Sequence, residues 1–169
     1  VGAIPAIALF FGPAFDISTS DGFNAWRSLA LGGFLAALGA IFVLTRTTRG
    51  QEDSGQAELL ASVVLGRHSR LISGVGLSLI GSILIGAVSG VATGLSGGNW
   101  EASMLLGATF TATGWMFTGV AAVTAQIGSD ARTANTLAVG ILGSLFVLRG
   151  FAYAISAPDW ASWINPLGW

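Results

Sequence analysis

The stretch LISGVGLSLIGSILIGAVSGVATGL, residues 71–95, decides the fold. It contains no charged residue, and as a helix rising about 1.5 Å per residue it outreaches a hydrocarbon core about 30 Å thick. Gly74, Ser78, Ser82, Gly86, Gly90 and Gly94 stand at every fourth position, which places them on one helix face. In lipid there is little hydrophobic drive between helices, so association depends on close backbone approach, which small residues permit. The series reads as a tight helix–helix seam or as a seam that slides during a transport cycle. A shorter version runs through Gly32, Ala36 and Ala40.

Three further segments have the same length and apolar character, at residues 26–45, 102–127 and 134–156. The expected architecture is therefore an all-α, polytopic transmembrane bundle of about four spans. Residues of alternating polarity, the mark of a membrane β-barrel, are not seen. Composition points the same way. Hydrophobic residues make up 53% of the chain and charged residues 9%, too few charges to cover a water-facing surface. The 25 glycines lie inside apolar runs, where transmembrane helices tolerate them. The net charge of −1 gives no basic field for nucleic acid, and the lack of cysteine excludes disulfides and thiolate metal sites.

The arginines set the expected orientation. Arg46, Arg49, Arg67 and Arg70 lie in the connector 46–70, and Arg132 lies in the turn 128–133. The loop 96–101 and the tail 157–169 carry no basic residue. The positive-inside rule then puts 46–70 and 128–133 in the cytoplasm, with Arg27 the one dissent, able to snorkel to the headgroups. Trp26, Trp100, Trp160 and Trp163 all fall at expected outer ends, where indole rings favour the headgroup level. Residues 1–25 read as the tail of a preceding membrane element with an external segment, and 157–169 as an external tail. The chain accordingly reads as a fragment of a longer membrane protein.

A few polar side chains inside the spans are candidates for function. The segment 102–127 carries Thr109, Thr111, Thr113 and Thr118 around Trp115. Threonine hydroxyls bond back to their own helix and need no ligand. The other reading turns Thr111, Trp115 and Thr118 toward a substrate path. Arg149 is the one charge well inside a span. An arginine at mid-helix costs about 2.5–3.5 kcal/mol on insertion scales, so it faces protein, water or headgroups. It either snorkels or pairs structurally, or it lines a translocation path.

Other chemistry is missing. His68 is the sole histidine, and the absence of any lysine rules out a phosphate-binding loop of the Gly-x-x-x-x-Gly-Lys-Ser/Thr kind. No cofactor or metal is expected in this chain. An ATP-driven process would need its ATPase in another chain. No carboxylate pair lies within a span, which disfavours an ion-coupled secondary transporter.

The connector is the most informative stretch. From Ala57 onward Leu59, Leu60, Val63 and Val64 share one helical face, with Glu58, Ser62 and Arg67 around it. Such an amphipathic helix lies on a lipid surface or docks in a partner's groove. The acidic residues Glu52, Asp53 and Glu58 favour a protein partner over anionic lipid.

The run from Arg46 through Arg49, Glu52, Gly55 and Glu58 to Leu60, followed by Gly66-Arg67, resembles the membrane subunit of bacterial ABC exporters of the type-two permease class. Within it the likeness is to the large permeases of the polyketide-antibiotic and multidrug exporter kind. Ala125-Gln126 to Arg132, Leu148-Arg149 and the stretch Trp163 to Trp169 recur in the same order. The resemblance implies a coupling helix near Glu52–Arg67, involving Arg49, Glu52, Gly55, Glu58, Leu59, Leu60, Val63, Val64 and Arg67. Its partner would be an ATP-binding cassette ATPase subunit holding ATP and magnesium. The whole permease would have about six spans per half, often with two halves fused. The family tends to carry an acid shortly after the arginine of the fourth span, where this chain has Tyr153. The alternative reading is a structural subunit whose small-residue seams only pack.

Overall fold

The computed structural model describes residues 7, 10–12, 17–54, 69–155 and 158–168. Among them there is no strand. The elements are α1 (Ser20–Thr47), α2 (Arg49–Asp53), α3 (Ser69–Leu95), α4 (Trp100–Ile127), α5 (Ala131–Ala154), α6 (Asp159–Ile164) and a final 3-10 turn (Pro166–Gly168). Four helices are long and apolar enough to cross a membrane.

Capping chemistry sets their ends. Thr19 accepts from Gly22 N at 3.1 Å and starts α1 six positions ahead of the expected residue 26. Asn99 accepts from Glu101 N and Ala102 N and starts α4 at Trp100. Asp130 accepts from Thr133 N at 2.8 Å and starts α5 at Ala131 rather than 134. Each cap supplies an acceptor to N–H groups that have no partner in the helix itself. Between α3 and α4, Gly97 takes φ +95°, a left-handed conformation that closes the short turn.

The bundle runs up and down. Asp21, in the first turn of α1, accepts from Asn99 N through both carboxylate oxygens at 3.1 Å, so α1 begins where α3 ends and α4 begins. At the opposite end, α2 meets the last turn of α4 and the first of α5.

Two kinds of interface hold the helices. Where α1, α4 and α5 meet, Ile41, Leu44, Phe117, Ala121, Ala138 and Leu142 form an apolar core. The α3–α4 seam is built differently. The buried residues of α3 are Gly74, Ser78, Ser82, Gly86, Gly90 and Gly94, while Ile72, Leu84, Val88 and Leu95 are exposed. Small and polar inside with large apolar outside reverses the order of a water-soluble helix. A lipid solvent makes it stable.

The tail does not stand free. Asn165 donates from Nδ2 to Leu145 O at 2.7 Å and accepts from Leu167 N at 3.0 Å. Pro166 and Leu167 are buried, and Leu167 joins the apolar core. The expected external tail is therefore, over residues 158–168, partly a plug folded back against α5. Asn165, twenty positions after Leu145, is the side chain that fastens the returned segment to α5.

The up-and-down order makes a direct prediction. In a cysteine-free background of the intact protein, Ser96→Cys and Ser129→Cys, both exposed, should label from opposite faces of the membrane. Ser129→Cys should react only after the cytoplasmic side is opened. Labelling of both from the same side would overturn the arrangement.

Candidate functional site

The polar end of the bundle carries Arg49 and Arg70, two of the arginines expected at the connector, and each has a partner there. The peptide group of Ala125 lies in the last turn of α4, where carbonyls lack an intrahelical donor. Arg49 reaches it from α2, donating from Nε to Ala125 O at 2.6 Å. A cation at the negative end of the α4 dipole adds to that bond. Arg49 also donates from Nη1 to Glu52 Oε2 at 2.8 Å, and Glu52 Oε1 lies 3.8 Å from Arg70 Nη1 at the start of α3. The second pair is long and half exposed, so it adds little.

Asp53 completes the joint. Its Oδ2 accepts from Ala131 N at 2.8 Å, one of the unpaired N–H groups that open α5. A carboxylate there also suits the positive end of the helix. Asp130 stands beside it, with its carboxyl held below the ordinary aspartate range. The backbone N–H of Thr133 is the main cause, helped by the hydroxyls of Ser129 and Thr133. Five residues of α2 thus tie the end of α1 to α4 through Arg49 and to α5 through Asp53. A polar cleft of about 110 Å³ opens between them, lined by Thr48, Arg49, Glu52, Arg70, Ala125 and Gln126 among others. The arrangement holds helix ends in fixed relation, so what it can do is mechanical.

Of the candidate coupling residues, Arg49 and Glu52 are in this joint. Gly55, Glu58, Leu59, Leu60, Val63, Val64 and Arg67 lie outside the described residues. Asp53, Arg70 and Asp130 were not singled out as site residues. Asp130 had a readable signal, an aspartate three positions before a threonine at the head of an apolar run. The Asp53–Ala131 bond spans 78 positions and has no local signature.

Inside the membrane the structure merges two groups of residues that the sequence separated. Thr118, buried on α4, bonds Ser78 of α3 at 2.7 Å, and Ser78 donates to Ala40 O of α1 at 3.1 Å. Thr118 Oγ1 also lies 2.8 Å from Gly114 O, so the two hydroxyls link three helices and share two protons among three contacts. Thr111 lies within 3.3 Å of Ser82 O and 3.1 Å of Gly107 O. Thr111 and Thr118 therefore face the small-residue series of α3. Trp115 is about half exposed and donates from its indole to Leu79 O at 3.2 Å. Arg149 bonds to none of these three; it reaches Phe10 O at 3.3 Å and lies 5.0 Å from the Tyr153 ring centre.

Along the seam, Gly86 has the Gly107 carbonyl and Thr111 Oγ1 where a side chain would start, and Gly107 has the Gly86 carbonyl. Gly90 faces the Ser103 carbonyl, Gly94 the Trp100 ring and Ser82 faces Gly114. Gly74 faces Thr47 and Thr48 of α1 instead.

With this geometry in hand, comparison with known proteins is decisive. The family model described as "Multidrug efflux system permease Rv1217c, C-terminal domain" matches residues 4–169. The chain belongs to this family. It is also 35% identical over 167 residues to the multidrug efflux system permease protein Rv1217c of Mycobacterium tuberculosis (strain ATCC 25618 / H37Rv). That match covers 99% of this chain and 30% of the relative's length. As a permease domain, the bundle is a multi-pass membrane unit, and the joint at Arg49 sits at the root of its longest connection between spans.

Proposed function

We propose that this chain is the membrane-spanning C-terminal part of the permease in an ATP-driven exporter of the ABC type, moving bulky amphipathic compounds such as drugs or polyketide antibiotics out of a bacterial cell. The permease performs no bond chemistry. A separate ATP-binding cassette subunit holds ATP and magnesium, and further permease spans complete the path.

The observation that carries this reading is the joint at the root of the connector. A partner pushing on residues 55–68 moves α2, and α2 is bonded to the α4 end by Arg49 and to the α5 end by Asp53. Movement at the surface would thereby reach two spans at once, as alternating access requires. The remaining charges around the connector set register more than affinity. The name of the Mycobacterium tuberculosis relative supports the efflux part of the reading.

The test is co-purification of the full-length permease with an ATP-binding cassette ATPase of the same organism. Leu60→Asp puts a charge into the apolar face expected to dock and should weaken the complex by about tenfold or more, with insertion in the membrane unchanged. If Leu60→Asp retains the ATPase as well as the parent does, docking through this face is wrong, and a lipid-surface role becomes the better account.

A further inference from the structure

Beside Arg149 lies a cavity of about 150 Å³, walled by Leu145, Leu148, Ala152, Tyr153, Ile164 and Asn165 among others. It sits at the end of the bundle opposite the Arg49 joint, between α5 and the folded-back tail. Arg149 is only 7% exposed, yet its Nε has no hydrogen-bond partner. Among the described residues no carboxylate forms an ion pair with it. A guanidinium offers only donors, and Arg149 borders the cavity, so a buried cation with a donor to spare calls for an acceptor there.

The surroundings narrow the kind of acceptor. Leu148 and Ile164 are largely exposed, so the cavity has an apolar mouth leading to a buried cation. The ring of Tyr153 holds the guanidinium from one side and Phe10 O anchors Nη1, which fixes the group at the cavity wall. Such a site discriminates against a free inorganic anion, which gains nothing from the leucines, and against a neutral amphiphile, which leaves Nε unmet.

We propose that this cavity binds an amphipathic anion, with a phosphate or carboxylate head on Arg149 and an apolar chain along Leu145, Leu148 and Ile164. The head belongs either to a membrane phospholipid or to a single-chain acid entering from solution. The inference is independent of how transport is driven.

The test uses the full-length permease, stripped of lipid in a neutral detergent, with dodecyl phosphate as the probe. Saturable binding by calorimetry is expected, with inorganic phosphate and dodecyltrimethylammonium failing to bind. Arg149→Gln should weaken dodecyl phosphate by about tenfold to a hundredfold, the range for one lost charged hydrogen bond. Ala152→Leu, which fills the cavity and keeps the charge, should also lose binding, and Arg149→Lys should retain part of it. These two variants keep the test decisive if Arg149→Gln does not fold. Native mass spectrometry separates the sources. A lipid site co-purifies with phospholipid in the parent and loses it in Arg149→Gln. A site for soluble acids carries none and still binds the probe. Equal binding and equal lipid retention by the parent, Arg149→Gln and Ala152→Leu would overturn the proposal, as would no binding by the parent, which would mean that protein fills the cavity.

Discussion

Gly86→Leu is expected to abolish the native packing of α3 on α4, while Gly81→Ala leaves it intact or slightly firmer. At Gly86 a first side-chain carbon would fall on the Gly107 carbonyl and on Thr111 Oγ1. The carbonyl is helix backbone and cannot swing aside. Even Gly86→Ala sets two effects against each other. Removing a helix glycine gains roughly 0.5–1 kcal/mol, and overpacking a tight contact costs about 1–3 kcal/mol. The clash wins. Leucine adds three more carbons to it and should cost about 3 kcal/mol or more. At Gly81 and Gly76 nothing lies within 4 Å of the added carbon, so Gly81→Ala and Gly76→Ala keep the gain without the clash. Thermal unfolding of the full-length permease in mild detergent checks this. Equal midpoints for Gly86→Leu and Gly81→Ala would show that the seam does not hold the bundle.

That seam was legible because lipid removes the usual hydrophobic signal and leaves size as the sorting rule. Gly74 to Gly94 at every fourth position is the face that the structure buries. What the sequence could not show is which neighbour each one meets. The spacing is identical at Gly74 and Gly86, yet the first faces Thr47 of α1 and the second faces Gly107 of α4. Thr111 and Thr118 illustrate the same limit. A threonine on a span looks alike whether it lines a path or bonds a neighbouring helix, and only the crossing of α3 and α4 decides that Thr118 meets Ser78. The helices begin two to six positions ahead of the expected spans where caps pull polar residues into the helix, as Thr19 does for α1. Leu167 was missed for another reason. A lone apolar residue after Asn165-Pro166 carries no periodicity, so its place in the core follows from the chain reversal alone. The Arg49–Ala125 and Asp53–Ala131 bonds link residues more than seventy positions apart through backbone groups, which have no sequence signature.

With an ATPase as the proposed partner, Arg49→Ala is expected to leave that partner bound and to disconnect it. Arg49 has its side chain turned inward, on the α4 carbonyl of Ala125 and on Glu52, and is only about a quarter exposed. Its removal deprives the Ala125 carbonyl of its side-chain donor and frees Glu52 from its short ion pair. Because the joint is partly solvated, the loss of stability should stay near 1 kcal/mol. The loss of function should be larger. A coupling free energy of about 1–2 kcal/mol between connector and spans corresponds to roughly tenfold in transport for each ATP consumed. Arg49→Lys, a cation without the guanidinium's planar fork, should restore only part of it. Asp53→Ala should act in the same direction through the first turn of α5.

The account stands or falls on whether the connector passes work from a partner to the spans. The direct measurement is substrate export and ATP hydrolysis in proteoliposomes holding the full-length permease and the proposed ATPase partner, with a fluorescent amphipathic drug as cargo. The parent should couple hydrolysis to export. Leu60→Asp should fail to recruit the ATPase, and Arg49→Ala should recruit it and hydrolyse ATP with about tenfold less export. Export by both variants at the parent's rate would contradict the account, and the joint at Arg49 would then be a structural clasp and nothing more.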